Sequence, residues 1–225
     1  MKRVCMLLLG GLISGTVLAA DAPMLSVPER YSYAMGVRLG QLLKQQGVAK
    51  LDSHAFAAAI DDVLTDRPLR LSAIEMQSAV AEQQALFRQR RAQRAQANLE
   101  AGQAFLTRNA GQAGVVVLPS GLQYLVKRSG DGDQVGHDGR VRVHYHGTLL
   151  DGSAFDSSVD RGTPAEFALS GVIPGFREAL SAMRVGDQWQ VFIPPSLGYG
   201  ERGAGAAIGP NQTLVFELQL LEIIR

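Results

Sequence analysis

The stretch Val141-Arg-Val-His-Tyr145-His-Gly147 alternates apolar with polar side chains. This period of two is typical of a β-strand that is buried on one face and open to solvent on the other. The face predicted to be buried holds Val141, Val143, Tyr145 and Leu149. His144 and His146 would share the opposite face. Solvent-exposed histidines are favoured there over a metal site, because the sequence offers no third ligand cluster at suitable spacing.

Further β-branched runs surround this strand from Val115 to the end of the chain, separated by Gly, Asp and Pro turns. They lie at 121–126, 187–193 and 213–224. A single helical pattern, Pro174 to Met183, interrupts them and ends at Gly186. The pattern predicts an α+β C-terminal domain over residues 111–225, a twisted antiparallel sheet wrapped around one short helix.

Residues 26–109 follow the helical period instead. Ser26-Val-Pro-Glu29 is typical of a helix start, and Met35, Leu39, Leu42 and Leu43 form an apolar stripe that Gly47 ends. A second helix is predicted between Asp52 and Pro68. We therefore expect an all-α N-terminal domain over residues 21–71.

A third helix, residues 72–110, would connect the two domains. At 1.5 Å per residue it is roughly 55 Å long, and its stretch from Arg88 to Ala97 is almost entirely polar. Such helices commonly bridge domains or hold them apart. The arginines could also indicate nucleic acid, but a solvated helix face is favoured because the net charge is only +1 and no aromatic residues are interleaved.

The first 20 residues have the pattern of a signal peptide. Lys2 and Arg3 precede an apolar run from Val4 to Leu18, and Ala19-Ala20 offers a small-residue cleavage zone. The run is shorter than a spanning helix, so export without stable membrane insertion is favoured over an uncleaved anchor. The one cysteine, Cys5, lies inside this segment. We expect a periplasmic or secreted protein, with outer-membrane association as a further option.

Phe155-Asp156-Ser-Ser allows two interpretations. Asp156 could make an Asx-turn in a loop. Alternatively, it could lie in a partly aromatic pocket, where a carboxylate needs partners; Arg161 and the Tyr145 hydroxyl are the candidates.

Two further segments could contact a ligand. At the predicted start of the short helix, the Ile173 N–H could donate to a ligand carbonyl, although a simple hydrophobic staple would explain Val172 and Ile173 equally well. Residues 200–209 are rich in glycine, but Pro210 follows and no Lys-Ser/Thr closes the loop, which argues against a nucleotide site. A mobile flap over a pocket fits better, with Tyr199 at its base and Ile208 near its end.

These motifs, in this order, resemble FKBP-type peptidyl-prolyl cis–trans isomerases over residues 115–225, including the ending Thr213-Leu-Val-Phe-Glu-Leu-Gln-Leu-Leu. The helical half, with Tyr33-Ala-Met-Gly36, is similar to the N-terminal dimerisation region of secreted bacterial members of the macrophage-infectivity-potentiator-like subgroup.

The resemblance implies a set of site residues. The catalytic set is Tyr145, Phe155, Asp156, Ile173, Tyr199 and Phe216, and the substrate-binding set is Arg161, Phe167, Val172, Phe176 and Ile208. Four positions depart from the better-known eukaryotic pattern. Phe176 replaces the tryptophan of the pocket floor, Ala165 replaces an aromatic wall residue for which Phe167 can substitute, and Ala204 and Ala207 replace larger flap residues.

The resemblance further implies an isomerase acting on X-Pro bonds of unfolded or exported proteins, with chaperone activity as a homodimer. Macrolide inhibitors are an additional implied ligand; no cofactor, metal or nucleic acid is expected. Two alternatives remain open at this point: a dimeric holdase, and a proline-peptide-binding protein with little turnover.

Overall fold

The computed structural model describes residues 26–48, 50–136 and 139–224. The predicted signal peptide and Cys5 lie outside these residues. Within the described ranges, no helix has both the length and the apolar character needed to cross a membrane. The chain divides into two compact units, and the boundary along the sequence lies between Ser72 and Ala73.

The first unit contains α1 (Val27–Gln45) and α2 (Ser53–Leu64). At the start of α1, the backbone N–H and the hydroxyl of Ser26 both donate to the Glu29 carboxylate at 2.7 Å. Gly47 follows the helix with φ of 82°, a conformation that glycine adopts without strain. Asp52 accepts a hydrogen bond from the Ala55 N–H at 2.9 Å and so caps α2. The predicted helices are confirmed.

The helices α1 and α2 bury very few of their side chains. No residue of α1 is buried, and the buried residue of α2 is a carboxylate, Asp62, which pairs with Arg70 at 2.9 Å. On the predicted apolar stripe, Met35 is 48% exposed and Leu42 is 49% exposed. In a single copy of the chain, these two residues of the stripe are therefore about half exposed to solvent, while Leu39 and Leu43 are half-buried.

The second unit begins with α3 (Ala73–Ala110), the predicted connecting helix. Its C-terminal half packs on the following domain: the rings of Phe105 and Phe192 lie 5.6 Å apart. Gly102 makes this possible, because a Cβ there would come within 2.3 Å of the Thr213 Oγ1. The polar stretch predicted a helix with a solvated face that bridges the domains or holds them apart. One aromatic residue and one glycine allow the C-terminal half of this helix to pack on the domain.

Seven strands form one antiparallel sheet: β1 (Val115–Val117), β2 (Gln123–Arg128), β3 (Arg140–Leu149), β4 (Ala154–Ser157), β5 (Ala165–Ala168), β6 (Gln188–Ile193) and β7 (Leu214–Ile224). Their order is β1-β2-β6-β7-β3, and the outer edge of β3 is shared by β5 and β4. The segment with Phe155 and Asp156 belongs to β4, so the loop interpretation of this segment is wrong.

The helix α4 (Pro174–Ala182) covers the inner face of the sheet. Ala179 and Leu180 on the helix are fully buried in one core with Val141 and Val143 of β3. The helix sits close to the sheet, since a Cβ at Gly175 would come within 2.5 Å of the Ile193 Cγ2. The predicted sheet wrapped around one short helix is confirmed.

Candidate active site

Five aromatic residues meet on the inner face of the sheet: Tyr145, Phe155, Phe167, Phe176 and Phe216. We call them the aromatic cluster. Each comes from a different element, namely β3, β4, β5, α4 and β7. They are far apart in the sequence, and the antiparallel pairing of β3 with its neighbours brings them together.

Phe176 lies at the centre of this cluster. Its ring centroid is 5.1 Å from that of Phe216, 5.7 Å from that of Phe167 and 6.0 Å from that of Tyr145. All three neighbours meet it edge to face, a favourable arrangement for aromatic pairs. Phe167 thus supplies an aromatic wall although Ala165, two residues earlier on β5, has no ring. The result is a largely buried apolar region built almost entirely of rings.

Gly147 is required for this packing and was not among the predicted site residues. It lies on β3 opposite both Asp156 of β4 and Phe216 of β7. A Cβ at this position would approach the Phe155 ring to 2.6 Å and the Phe216 ring to 2.8 Å. A glycine inside a strand pattern often marks such a close approach, so the sequence did carry a signal for it.

Among the residues that the structure describes, Asp156 is the carboxylate that forms a hydrogen bond with the aromatic cluster. It accepts hydrogen bonds from the Tyr145 hydroxyl and from Nη1 of Arg161. Nη2 of Arg161 donates to the Tyr145 hydroxyl oxygen at 2.9 Å, and the guanidinium lies 5.6 Å from the centre of that ring. The three side chains form a closed triangle that holds the Tyr145 ring in one orientation.

This triangle shifts the pKa of its members. Burial raises the pKa of the Asp156 carboxyl, but the hydrogen bonds from Tyr145 and Arg161 outweigh burial, so the pKa lies below its usual value. Burial, followed by the hydrogen bond to Asp156, raises the pKa of the Tyr145 hydroxyl. At neutral pH Asp156 is therefore an ion with both partners in place, which suits an orienting role better than that of a proton acceptor.

Ser158 is a second residue that sequence reasoning left without a role. It is fully buried, and its Oγ accepts a hydrogen bond from the Tyr145 N–H at 2.8 Å. Its own N–H donates to the Tyr145 carbonyl at 3.0 Å. Ser158 thereby fixes the backbone of Tyr145 while Asp156 and Arg161 fix the side chain. Only the β3–β4 pairing reveals this contact.

The start of α4 lies beside the same core. Val172 and Ile173 are half-buried and pack against it. Ile173 is the N-cap of α4, Pro174 follows it, and no described residue accepts a hydrogen bond from the Ile173 N–H. A backbone donor with no protein partner at a helix start can donate to a carbonyl of a ligand.

The predicted flap has a buried end and an exposed base. Ile208 is only 7% exposed and belongs to the same core as the aromatic cluster. Tyr199 is 38% exposed, and among the described ring contacts none joins it to the cluster. Ring contacts and hydrogen bonds therefore join seven of the eleven predicted side chains, namely the five rings, Asp156 and Arg161. Val172, Ile173 and Ile208 belong to the hydrophobic core of the same domain, and Tyr199 lies at the surface.

His144 and His146 lie on the opposite, outer face of the sheet. The Nδ1 atom of His144 is 3.1 Å from the Ser158 Oγ, and that of His146 is 3.8 Å from an oxygen of Asp160. In the part of the chain that the structure describes, no three His, Cys, Asp or Glu side chains are grouped as metal ligands would be.

Comparison with known proteins agrees with this geometry. The family model described as FKBP-type peptidyl-prolyl cis–trans isomerase matches residues 132–221, and that for the domain amino terminal to it matches residues 28–126. The FKBP-type 22 kDa peptidyl-prolyl cis–trans isomerase of Escherichia coli K12 is 44% identical, over 88% of this chain and 97% of that protein. The chain belongs to the FKBP-type peptidyl-prolyl cis–trans isomerase family.

Similarity to other FKBP-type proteins extends over both units. The outer membrane protein MIP of Legionella longbeachae is 39% identical over 99% of this chain and 97% of that protein. The crystal structure of FkpA from Escherichia coli matches with a TM-score of 0.63 and 33% identity, covering 88% of this chain and 97% of that chain. The predicted family, the fold class and the peptidyl-prolyl cis–trans isomerase activity are confirmed.

Proposed function

We propose that the aromatic cluster is the catalytic centre of this isomerase and that the ring of a substrate proline packs on Phe176. Tyr145, Phe155, Phe167 and Phe216 would flank it, with Val172 and Ile208 as further apolar contacts. The observation that carries this proposal is the convergence of five rings from five elements on one hydrogen-bonded carboxylate.

The reaction needs no bond to be broken. Rotation about the prolyl amide is slow because its partial double bond gives a barrier of roughly 18–20 kcal/mol. Twisting the amide removes its resonance and makes it less dipolar than the planar form. An apolar surface therefore favours the twisted transition state over the planar ground state, which water solvates better.

Two polar elements would orient the substrate on this surface. The Ile173 N–H would donate to a substrate carbonyl and fix the chain beside the rings, with the Tyr199 hydroxyl as a second donor if the flap closes. Asp156 and Arg161 would hold the Tyr145 ring against the proline. In this mechanism Asp156 orients and does not exchange protons with the substrate.

Isomerisation of a proline-containing tetrapeptide by the mature protein tests this assignment. Asp156→Ala should lower kcat/KM by about tenfold or more, since it releases both Tyr145 and Arg161. Asp160→Ala is the matched control, because its carboxylate is 68% exposed and lies outside the triangle. Equal rates in these two variants would contradict the assignment.

We also propose that the first unit joins two copies of the chain into a homodimer. The support is the apolar surface that α1 and α2 leave exposed in one copy; a second copy carries the same stripe and can cover it. Two catalytic sites on one frame would hold an unfolded polypeptide more tightly than one site does. This gives a chaperone role beside catalysis.

A holdase in which the helices do the main work is the second candidate, and the same exposed surface favours it. Removing residues 26–72 separates the two functions, because α3 is then kept with the domain on which it packs. We expect the shortened protein to be monomeric and to suppress aggregation poorly, while it still isomerises the tetrapeptide. Loss of tetrapeptide turnover would contradict this division of labour.

Residues 1–20 support export, and we propose a periplasmic or secreted location. Weighing the mature protein from the cell envelope by mass spectrometry would test cleavage near Ala20. For macrolide inhibitors we propose binding at the aromatic cluster, weaker than in eukaryotic relatives, because Phe176, Ala204 and Ala207 reduce the apolar contact area.

A further inference from the structure

We propose that α3 is a structural support of the catalytic site: it positions the flap, residues 199–211, from outside, and Arg91 is the positioning residue. This inference rests on the proposed catalytic role of the aromatic cluster and the flap. It assigns a function to a helix segment whose sequence indicates only a solvated connector.

The first contact is at the start of the flap. Nη2 of Arg91 donates to the carbonyl oxygens of Glu201 and Arg202, both at 2.8 Å. These carbonyls lie at the end of the short 3-10 turn Gly200–Arg202. The last carbonyl groups of a helical turn accept no hydrogen bond from within the turn. One guanidinium satisfies both of them, and its positive charge suits the carbonyl end of the turn.

The second contact is at the other end of the flap. Nδ2 of Asn98 donates to the Pro210 carbonyl at 2.7 Å, and Nδ2 of Asn211 donates back to the Ala95 carbonyl at 3.4 Å. Arg91, Ala95 and Asn98 are spaced by four and three residues, so they lie along one face of α3. This face therefore holds both arms of the flap.

The flap transmits this support to the cluster. Its base is closed by the Asn211 N–H, which donates to the Gly200 carbonyl at 2.8 Å. Its tip is closed by two hydrogen bonds between Ala204 and Ile208, at 2.9 and 3.1 Å. These two sets of hydrogen bonds restrict the conformations of the loop. We therefore expect a shift of its base to move Tyr199 and Ile208 as well. Ile208 belongs to the same hydrophobic core as the aromatic cluster.

Next to the residues that hold the flap, α3 is itself anchored to the isomerase domain. Beyond Asn98, Gly102 lies against Thr213, and the side chain of Gln123 on β2 donates to the Leu106 carbonyl at 2.9 Å. The segment from Arg91 to Leu106 is thus fixed to the sheet at one end and to the flap at the other. Anchoring to the sheet is what allows the helix to resist motion of the flap.

Amide hydrogen exchange and peptide kinetics on the full mature protein test the proposal. In Arg91→Ala, we expect exchange at Ala204, Ile208 and Asn211 to accelerate about tenfold, with amides of β3 and β7 unchanged. We expect kcat/KM for a proline tetrapeptide to fall about three- to tenfold, because the variant loses the charge-assisted hydrogen bonds of Arg91 at an exposed site. Arg91→Lys should restore part of both, since an ammonium can still donate to one carbonyl.

Arg90→Ala is the control, because it removes the same charge from the same helix and Arg90 has no hydrogen bond or ion pair in the described part of the chain. Equal flap exchange in the two variants would overturn the proposal, as would faster exchange throughout the sheet in Arg91→Ala. Should that variant fold poorly, Asn98→Ala tests the other arm by the same measurement. Asp156→Ala should lose turnover with flap exchange unchanged, so failure of the catalytic assignment and failure of this support give different results.

Discussion

In α1 and α2 most of the large apolar side chains are exposed to solvent: Tyr33 is 70% exposed and Leu64 is 77% exposed. In the isomerase domain Val143 and Leu220, on the paired strands β3 and β7, are fully buried. Both regions have regular secondary structure, so helix or strand formation alone does not explain the difference. The isomerase domain completes its core within one chain, whereas the N-terminal helices leave most of their large apolar side chains exposed in a single chain.

The largest effect is expected from an aromatic truncation inside the completed core. Phe216→Ala removes a ring that is 4% exposed and contacts three others, so the free energy of unfolding should fall by about 3–5 kcal/mol and kcat/KM by more than tenfold. Urea unfolding and tetrapeptide kinetics measure both. Phe87→Ala on α3, where the ring is 46% exposed, should stay within about 0.5 kcal/mol. Similar losses in the two variants would remove the distinction between buried and exposed rings.

A charge on the exposed stripe should affect association instead of folding. In Leu42→Glu the proposed homodimer should weaken by about 1.5–3 kcal/mol for each leucine that it would bury, since this burial is lost and a charge opposes it. Sedimentation velocity over a range of concentrations measures this. Gln41→Glu adds the same charge one position away and should leave the dimer intact. A Leu42→Glu protein that stays dimeric would mean that this stripe is not the interface.

Gly147 offers an intermediate test beside the aromatic cluster. Gly147→Ala should destabilise the domain by about 1–3 kcal/mol, because the new methyl group would press on Phe155 and Phe216. Gly171→Ala is the control, since a Cβ there meets no atom within 4 Å. Thermal unfolding should separate the two variants, with tetrapeptide turnover reduced in Gly147→Ala. A stable and active Gly147→Ala would show that the rings can move apart without cost.

The smallest effect is expected from pH. The folded pKa of Asp156 lies below its usual value, so its stabilising contribution is complete above about pH 5 and is lost as the pH falls through the folded pKa, below about pH 4. Because the pair with Arg161 is half-exposed, that contribution should be under about 1 kcal/mol. Unfolding of wild type and Asp156→Asn should differ at pH 6 and converge near pH 3. A constant difference over that range would contradict an ionised Asp156 as its source.

Much of this fold follows from local sequence. The capping residues Ser26 and Asp52 and the glycine at 47 place the ends of α1 and α2 nearly where the structure has them, because capping acts over a few residues. The period of two in β3 likewise gives its buried face correctly. Strands β1, β4 and β5 are not among the strand runs predicted from the sequence, since three- and four-residue strands are too short to show a period.

The candidate site was less accessible to pattern alone. Phe167, Phe176 and Phe216 are apolar residues like any other core residue until the family resemblance singles them out. Ser158 and Gly147 had no assigned role, because what they do depends on which strand lies opposite. Arg91 illustrates this most clearly: the same arginine run contains Arg88, Arg90 and Arg94, and only the packing of α3 on the domain distinguishes one of them.

The amino-acid sequence by itself determined the helical first half, the strand periods, the family and hence the isomerase activity, because these depend on short-range patterns and on motifs in a fixed order. Only the tertiary structure determined the triangle of hydrogen bonds around Asp156, the close approach of two rings at Gly147 and the packing of α3 against the flap. These depend on distances between residues that are tens of positions apart in the chain. Such distances are set by strand pairing and by helix packing, for which local sequence gives at most a hint, such as a glycine inside a strand pattern.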